Sequence, residues 1–220
     1  MSRRPLIVLT NDDGILAPGL AALAKAMARV GRVVVVAPDG ERSAISRALS
    51  LTRILRAKEI DRDRHAVQGT PADCVNYALF GLRLKPALIV SGINRGPNLG
   101  DDIAYSGTVA AAAEAAAFGL RAFALSLALE RRGNYALAAR WGVTVAKRLL
   151  AHRLPPRTYL NVNVPDRTAV RGVKITTVGA RRYNNALTRR CDPHGGEYFW
   201  LGGGRPLWTP APGADQDAVA

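Results

Sequence analysis

Pro5-Leu6-Ile7-Val8-Leu9-Thr10-Asn11-Asp12-Asp13-Gly14 is the stretch from which the rest of this chain is read. An apolar run that stops on an amide, two adjacent carboxylates and a glycine fits a strand buried on both faces, as in a parallel sheet covered by helices. In open α/β sheets, ligands collect beyond the carboxyl ends of such strands. Successive strand residues point to opposite faces, so Asp12 and Asp13 can act together only from a turn, which Gly14 makes accessible. Two carboxylates that close repel one another unless a cation lies between them or one keeps its proton. The plainer alternative is a solvated strand-to-helix loop in which Asp13 caps the next helix.

Outward from that stretch, strand-like and helix-like segments alternate. Residues 20–30 have helical periodicity and close on Gly31, and 33–38 form a second buried strand. Residues 44–56 mix alternation with basic side chains and read as a strand or arm off the sheet. A short strand is expected over 65–68, a helix with Pro71 in its first turn over 71–82, and a third buried strand over 87–91. A small-residue helix over 108–119, a strand over 122–127 and an amphipathic helix over 135–150 follow. Such alternation implies right-handed crossovers and a Rossmann-like three-layer α/β/α fold on a mainly parallel sheet. Beyond 160 only short strands are expected, over 160–164 and 173–178, and the tail after Ala180 is rich in Gly, Pro and Arg. The chain therefore divides into an α/β core over 1–165 and a small C-terminal β or arm extension over 166–220.

Length and composition set the class. A chain of 220 residues, 48% hydrophobic, buries a full α/β core. No apolar stretch approaches the roughly 20 residues of a membrane span, and strand-forming sequence begins too early to leave room for a signal peptide. Cys74 and Cys191 form neither a disulfide framework nor a zinc spacing, which fits a reducing cytoplasm. The net charge of +14 attracts anions. Its basic residues are scattered as Arg3-Arg4, Arg131-Arg132, Arg181-Arg182 and Arg189-Arg190, with no helix-turn-helix, RNP or KH pattern, so no dedicated nucleic-acid partner is expected.

The loops after the buried strands hold the chemistry. They carry Asp39 to Ala44, Gly69 to Cys74, and the long run Gly92-Ile93-Asn94-Arg95-Gly96-Pro97-Asn98-Leu99-Gly100-Asp101-Asp102. Parallel strands bring these loops to one edge of the sheet. The donors are all oxygen, from carboxylates, amides and hydroxyls, which suits Mg²⁺, Mn²⁺ or Ca²⁺ rather than zinc. Ser106-Gly107-Thr108 at a helix start offers N–H groups and hydroxyls as an anion seat. A hard cation beside an anion seat reads as phosphate chemistry. Singly, Ser106 or Thr108 can be a cap, Asn94 and Asn98 turn formers, and Ser43 an exposed serine.

The order of these blocks resembles the SurE (survival protein E) family of metal-dependent nucleotide phosphatases. The resemblance runs from Leu6 to about Glu114 through Asn11-Asp12-Asp13-Gly14, Ala37-Pro38-Asp39 with Arg42-Ser43, Gly69-Thr70-Pro71 with Asp73-Cys74, Ser91-Gly92-Ile93-Asn94 with Gly96-Pro97-Asn98, and Tyr105-Ser106-Gly107-Thr108-Val109. It resumes at Leu160-Asn161-Val162-Asn163-Val164-Pro165. It implies a 5′- or 3′-nucleotidase that releases phosphate from nucleoside monophosphates with one divalent cation, Mg²⁺ or Mn²⁺. Asp12, Asp13, Ser43 and Asn94 would be the metal ligands, with Asp12 and Asp13 catalytic. Asn98, Ser106, Gly107 and Thr108 would bind phosphate. Asp12 would orient or deprotonate the attacking water, or serve as a ligand alone.

Other classes fit less well. A dinucleotide-binding module needs G-x-G-x-x-G after the first strand, and a P-loop needs G-x-x-x-x-G-K-[ST]; neither motif is present. A metal-dependent nucleotide-sugar transferase and a non-catalytic basic nucleic-acid-binding protein are the alternatives that remain. The resemblance further implies a homo-oligomer, a dimer or tetramer, built through C-terminal elements. Residues 214–220 look like the segment before a family strand and last helix. The tail from 202, rich in Gly and Pro, is expected to form neither a helix nor a central strand.

Overall fold

The computed structural model describes residues 4–128, 133, 135–182, 187–202, 207–209 and 211–219. In chain order the first unit contains β1 (Leu6–Thr10), α1 (Pro18–Met27), β2 (Arg32–Pro38), β3 (Ala57–Asp61), β4 (Arg64–Val67), α2 (Pro71–Asn76), β5 (Leu88–Arg95), α3 (Gly107–Ala117), β6 (Ala122–Ala128), α4 (Tyr135–Ala151) and β7 (Leu160–Pro165). Its seven strands form one sheet in the order β3-β4-β2-β1-β5-β6-β7. β1 lies between β2 and β5, parallel to both, and β6 and β7 continue in the same direction. β3 is antiparallel to β4. The α/β fold with a mainly parallel sheet is the one read from the sequence.

The pleat of β1 shows why the helices form two layers. Ile7 and Leu9 face one side, where Leu20, Leu23 and Met27 of α1 and Leu137, Ala138 and Leu149 of α4 cover the sheet. Val8 faces the other, against Cys74, Val75 and Ala78 of the α2 region and Val109, Ala112 and Ala115 of α3. Alternate residues of a strand serve opposite faces, so a run apolar at every position has helices on both sides. Truncating a side chain such as Leu9, wholly buried, to alanine would cost about 2–5 kcal/mol.

Two expectations of the first unit change. Residues 44–56 form no strand; the antiparallel strand is β3, immediately after them. β3 is exposed along its whole length and carries Lys58, Glu59 and Asp61, the charged chemistry of a protected sheet edge. The helix expected over 71–82 is α-helical to Asn76 and continues as a wider π-turn over Tyr77–Gly81.

The chain clusters into two compact units, Met1–Asn98 with Ile103–Val173, and Leu99–Asp102 with Lys174–Ala218. In the second unit, β8 (Ala180–Arg182) pairs with β11 (Leu207–Thr209), and β9 (Leu187–Cys191) with β10 (Glu197–Leu201), both antiparallel. The strand expected over 173–178 is absent: Thr177 makes a single bridge to Ala214, and Val173, Ile175 and Val178 are exposed. The tail forms more structure than expected, β11 and the single turn α5 (Asp215–Val219). Asp215 fixes the start of α5, since this buried carboxylate accepts the Gly100, Gly179 and Gln216 N–H groups at 2.9–3.0 Å.

Candidate active site

The turn after β1 is built by Asn11. Its amide donates to the Gly14 carbonyl at 3.0 Å while its Oδ1 accepts the Gly14 N–H at 3.2 Å. Gly14 has φ of 101°, and a Cβ there would press on the Gly40 backbone at 3.1–3.3 Å. The turn needs glycine both for the left-handed backbone and for that approach. It presents Asp12 and Asp13 at the C-terminal edge of the sheet.

Asp12 is only 6% exposed and is held from the start of α3. The Thr108 N–H donates to Asp12 Oδ2 at 3.0 Å, and the Thr108 hydroxyl donates to Oδ1. Gly107 makes room for this: a Cβ there would lie 2.9 Å from Asp12 Cβ and 3.0 Å from Oδ2. Burial raises the pKa of Asp12 above the ordinary carboxylate range, opposed by the Thr108 hydrogen bonds. The Asp12 carbonyl accepts the Arg42 N–H at 2.7 Å, bringing the Ser43 segment against the turn.

Asp13 is less tied. The Arg95 N–H reaches its Oδ2 at 3.4 Å, and burial, followed by the charge of Asp12, pushes its pKa up to about 6. That same contact sets Asp13 beside the Asn94 loop at the end of β5. Asn94 donates its Nδ2 to the Gly96 carbonyl at 2.9 Å, which leaves its Oδ1 for another partner. Ser43 is exposed, and its hydroxyl donates to Glu41 Oε1 at 2.7 Å; Glu41 adds to the negative field at Asp13.

These residues fit a divalent cation by their chemistry. The donor set is two carboxylates, an amide oxygen and a hydroxyl, all hard oxygens. One carboxylate, Asp13, is pushed towards its protonated form by burial and then by the like charge of Asp12, and a bound cation would oppose both. Among the described residues no three or more His, Cys, Asp or Glu gather as a metal cluster, so a cation here would depend on the amide and hydroxyl oxygens beside the two carboxylates.

The phosphate-binding expectations receive different outcomes. Ser106 caps α3 by accepting the Val109 N–H at 3.1 Å, and the Thr108 donors go to Asp12. The helix start is therefore not an open anion seat as read from the sequence. Its dipole and donors already face an anion, the Asp12 carboxylate. Asn98 is buried and clamped on every polar group but its Oδ1. Its N–H donates to Asn163 Oδ1 at 2.8 Å, its carbonyl accepts from Asn161 and Asn163 at 2.8 and 3.0 Å, and its Nδ2 donates to Ser126 at 2.8 Å.

Comparison with known proteins decides the family. The model of the family "Survival protein SurE" matches residues 7–185. The chain belongs to the SurE family. A SurE relative from Geotalea uraniireducens strain Rf4, named a 5′-nucleotidase, is 50% identical over 218 residues, covering 97% of this chain and 88% of its own. Another 5′-nucleotidase SurE, from Geobacter sulfurreducens, is 49% identical over 217 residues, covering 97% of this chain and 83% of its own. The crystal structure of SurE from Aquifex aeolicus superposes with a TM-score of 0.84 at 40% identity, covering 98% of this chain and 89% of that one.

In the SurE frame, several residues that shape the site carry no role in the sequence reading. Glu41 acts through a hydrogen bond to Ser43, and Ser126, Asn161 and Asn163 through hydrogen bonds to Asn98. Asn161 and Asn163, two apart on β7, share one face of the strand, and that spacing was the available signal. Asp73 closes a capping box with Thr70 and accepts from Ser50, so its carboxylate supports the fold around the site.

Proposed function

We propose that this SurE chain is a metal-dependent 5′-nucleotidase, hydrolysing nucleoside monophosphates to nucleoside and inorganic phosphate, with 3′-nucleotides as a second substrate class. The observation that carries the metal dependence is the pair Asp12 and Asp13, one fixed by α3 and the other raised to about 6. The names of the relatives supply the reaction class. Asp12, Asp13, Ser43 and Asn94 would hold one Mg²⁺ or Mn²⁺. Such an ion supplies Lewis-acid polarisation of a phosphoryl oxygen and a lowered pKa for bound water.

The chain's own residues then divide the remaining work. Asp12, its plane fixed by Thr108, orients the attacking water. Water adds its oxygen to phosphorus, the ester P–O bond breaks, and the proton released from water ends on the nucleoside hydroxyl. Asn98, immobilised by Asn161, Asn163 and Ser126, offers a fixed amide oxygen to the hydroxyl of a protonated phosphate or to a bound water. Ser106, Gly107 and Thr108, whose donors and acceptor serve the helix cap and Asp12, contribute to phosphate binding through the carboxylate they hold in place. A carboxylate fixed in this way keeps the attacking water oriented.

The unpaired cysteines and the lack of any described helix long and apolar enough to cross a membrane accord with a cytoplasmic location. The β9–β10 hairpin exposes Phe199, Trp200 and Leu201 at 55, 67 and 72%. A hairpin whose β10 strand exposes apolar side chains in this way accords with a homo-oligomer, dimer or tetramer, assembled through the 166–220 extension.

A substrate panel tests the proposal. Phosphate release is measured from 5′- and 3′-nucleoside monophosphates, a sugar phosphate and a nucleotide sugar, with Mg²⁺ or Mn²⁺. Hydrolysis of the 5′-monophosphates above the others supports it. Release confined to the sugar phosphate, or transfer from the nucleotide sugar, would overturn it.

A further inference from the structure

Residues 44–56, between Ser43 and β3, contain no helix or strand, yet polar contacts fasten the first half of this segment at every second residue or so. The Ser46 N–H donates to the Tyr105 carbonyl at 2.9 Å and its hydroxyl to the Ala104 carbonyl at 2.7 Å. Arg47 Nε donates to Glu114 Oε2 at 2.7 Å. The Ala48 carbonyl accepts the Thr70 hydroxyl at 2.7 Å, and Ser50 donates its N–H and hydroxyl to Asp73 at 3.0 and 2.7 Å. Between Ser43 and Arg47, the non-glycine residues Ala44 and Ser46 both sit at φ of 53°. Backbone of that kind costs on the order of 1 kcal/mol or more per residue and persists only where the surroundings impose it.

Glu114 is the unusual member of this set. It is the one ionisable side chain in the Gly-Thr-Val-Ala-Ala-Ala-Ala-Glu-Ala-Ala-Ala helix α3 and is 5% exposed. A carboxylate buried there is tolerable because both oxygens are satisfied, Oε2 by Arg47 and Oε1 by the Asn76 amide at 2.9 Å. Arg47 itself reaches in from the surface, its side chain 46% exposed. The same helix that fixes Asp12 with its first turn thus fixes the Ser43 segment two turns later. Nothing in the packing of α3, a helix of small residues, calls for a charge at this position.

We propose that Glu114, acting through Arg47, is a positioning residue that holds Ser43 at the cation centre beside Asp12 and Asp13. The inference rests on the reading of Ser43 as a metal ligand. Glu114 touches neither the cation nor the substrate in this account. It restricts a ligand-bearing segment that has no ladder or helix of its own, so that little of the binding free energy is spent on ordering it.

The test is a cycle of variants on the full chain, read by Mn²⁺ titration calorimetry of chelator-stripped protein and by kcat at saturating Mn²⁺. Arg47→Met removes the surface partner and leaves the buried Glu114 with Asn76 alone; Glu114→Gln removes the charge and keeps an acceptor for Asn76. Each is expected to weaken Mn²⁺ binding by about tenfold, the range for residues that orient a ligand. The kcat at saturating Mn²⁺ should return to within about twofold of the parent, since no transition-state contact is lost. In the double variant Ser43→Ala/Arg47→Met, binding should be no weaker than in Ser43→Ala alone, because no ligand is left to position. Mn²⁺ affinity unchanged in Arg47→Met while Ser43→Ala weakens it, or the two effects adding in full, would overturn the proposal. Affinity unchanged in Ser43→Ala would instead remove the ligand reading, and the proposal with it. Should Glu114→Gln fail to fold, Arg47→Met alone gives the same decision.

Discussion

Gly107→Ala is the substitution from which the geometry of the carboxylate pair can be checked most sharply. The added methyl would stand 2.9 Å from Asp12 Cβ, 3.0 Å from Asp12 Oδ2 and 3.1 Å from Ile45 Cγ2, where ordinary contact begins near 3.4 Å. Asp12 and the start of α3 must part by about half an ångström, since the Asn11 turn leaves the carboxylate little room to swing. The 3.0 Å bond from the Thr108 N–H to Oδ2 then stretches to the limit of a hydrogen bond. Overpacking of this size costs about 1–3 kcal/mol of stability. Displacing an oriented carboxylate costs about a hundredfold in rate. Gly40→Ala is the control, because a Cβ there meets nothing within 4 Å and activity should stay within about twofold. Urea denaturation and initial rates of phosphate release at saturating Mn²⁺ measure both effects. Gly107→Ala with wild-type rate and stability would refute the reasoning that α3 fixes Asp12 by close approach.

Asp13, raised to about 6 by burial and Asp12, makes metal binding proton-linked. Mn²⁺ affinity should rise by at least about tenfold per pH unit below 6 and flatten above it, as calorimetry across pH 5–8 would show. The sign for folding is opposite: the metal-free protein keeps its full stability below the ordinary carboxylate range near ~4 and loses part of it as pH rises through about 6. Asp13→Asn should flatten that slope in thermal melts of stripped protein. Phe199→Ser with Trp200→Ser, on the exposed hairpin, should shift sedimentation towards monomer without unfolding the core. The net charge of +14 should give weak polynucleotide binding that collapses between about 50 and 200 mM salt; sub-micromolar binding at physiological salt would argue for a nucleic-acid partner.

The parallel core could be read from sequence because its signal is local. Val33 to Pro38 and Ala122 to Leu127 are apolar at nearly every position, and burial on both faces leaves no other arrangement for them. Asp12 and Asp13 stood out for the same reason, as charges at the end of such a run. Polar segments held by distant partners gave no comparable signal. Residues 44–56 alternate like a strand, but their hydrogen bonds go to α3, α2 and Ala104, and β3 falls on the charged residues just after. Residues 173–178 have strand composition and find a single bridge. The start of α3 reads in the sequence as a seat for an outside anion, whereas its Thr108 donors face the chain's own Asp12. The clamp of Asn161 and Asn163 on Asn98, and the Glu114–Arg47 pair, join residues 63 to 67 positions apart, and sequence order alone does not bring them together.

The central claim is that Asp12 and Asp13 form one cation centre on which phosphate release depends. It is tested most directly by stripping the protein with a chelator, titrating Mn²⁺ back, and following heat of binding and phosphate release from a nucleoside 5′-monophosphate together, in the parent and in Asp13→Asn. The account predicts no turnover without the ion, recovery that tracks one bound Mn²⁺ per chain, and a folded Asp13→Asn slower by about a thousandfold or more. Turnover that survives stripping, or an Asp13→Asn protein that binds Mn²⁺ and hydrolyses the nucleotide as the parent does, would contradict it.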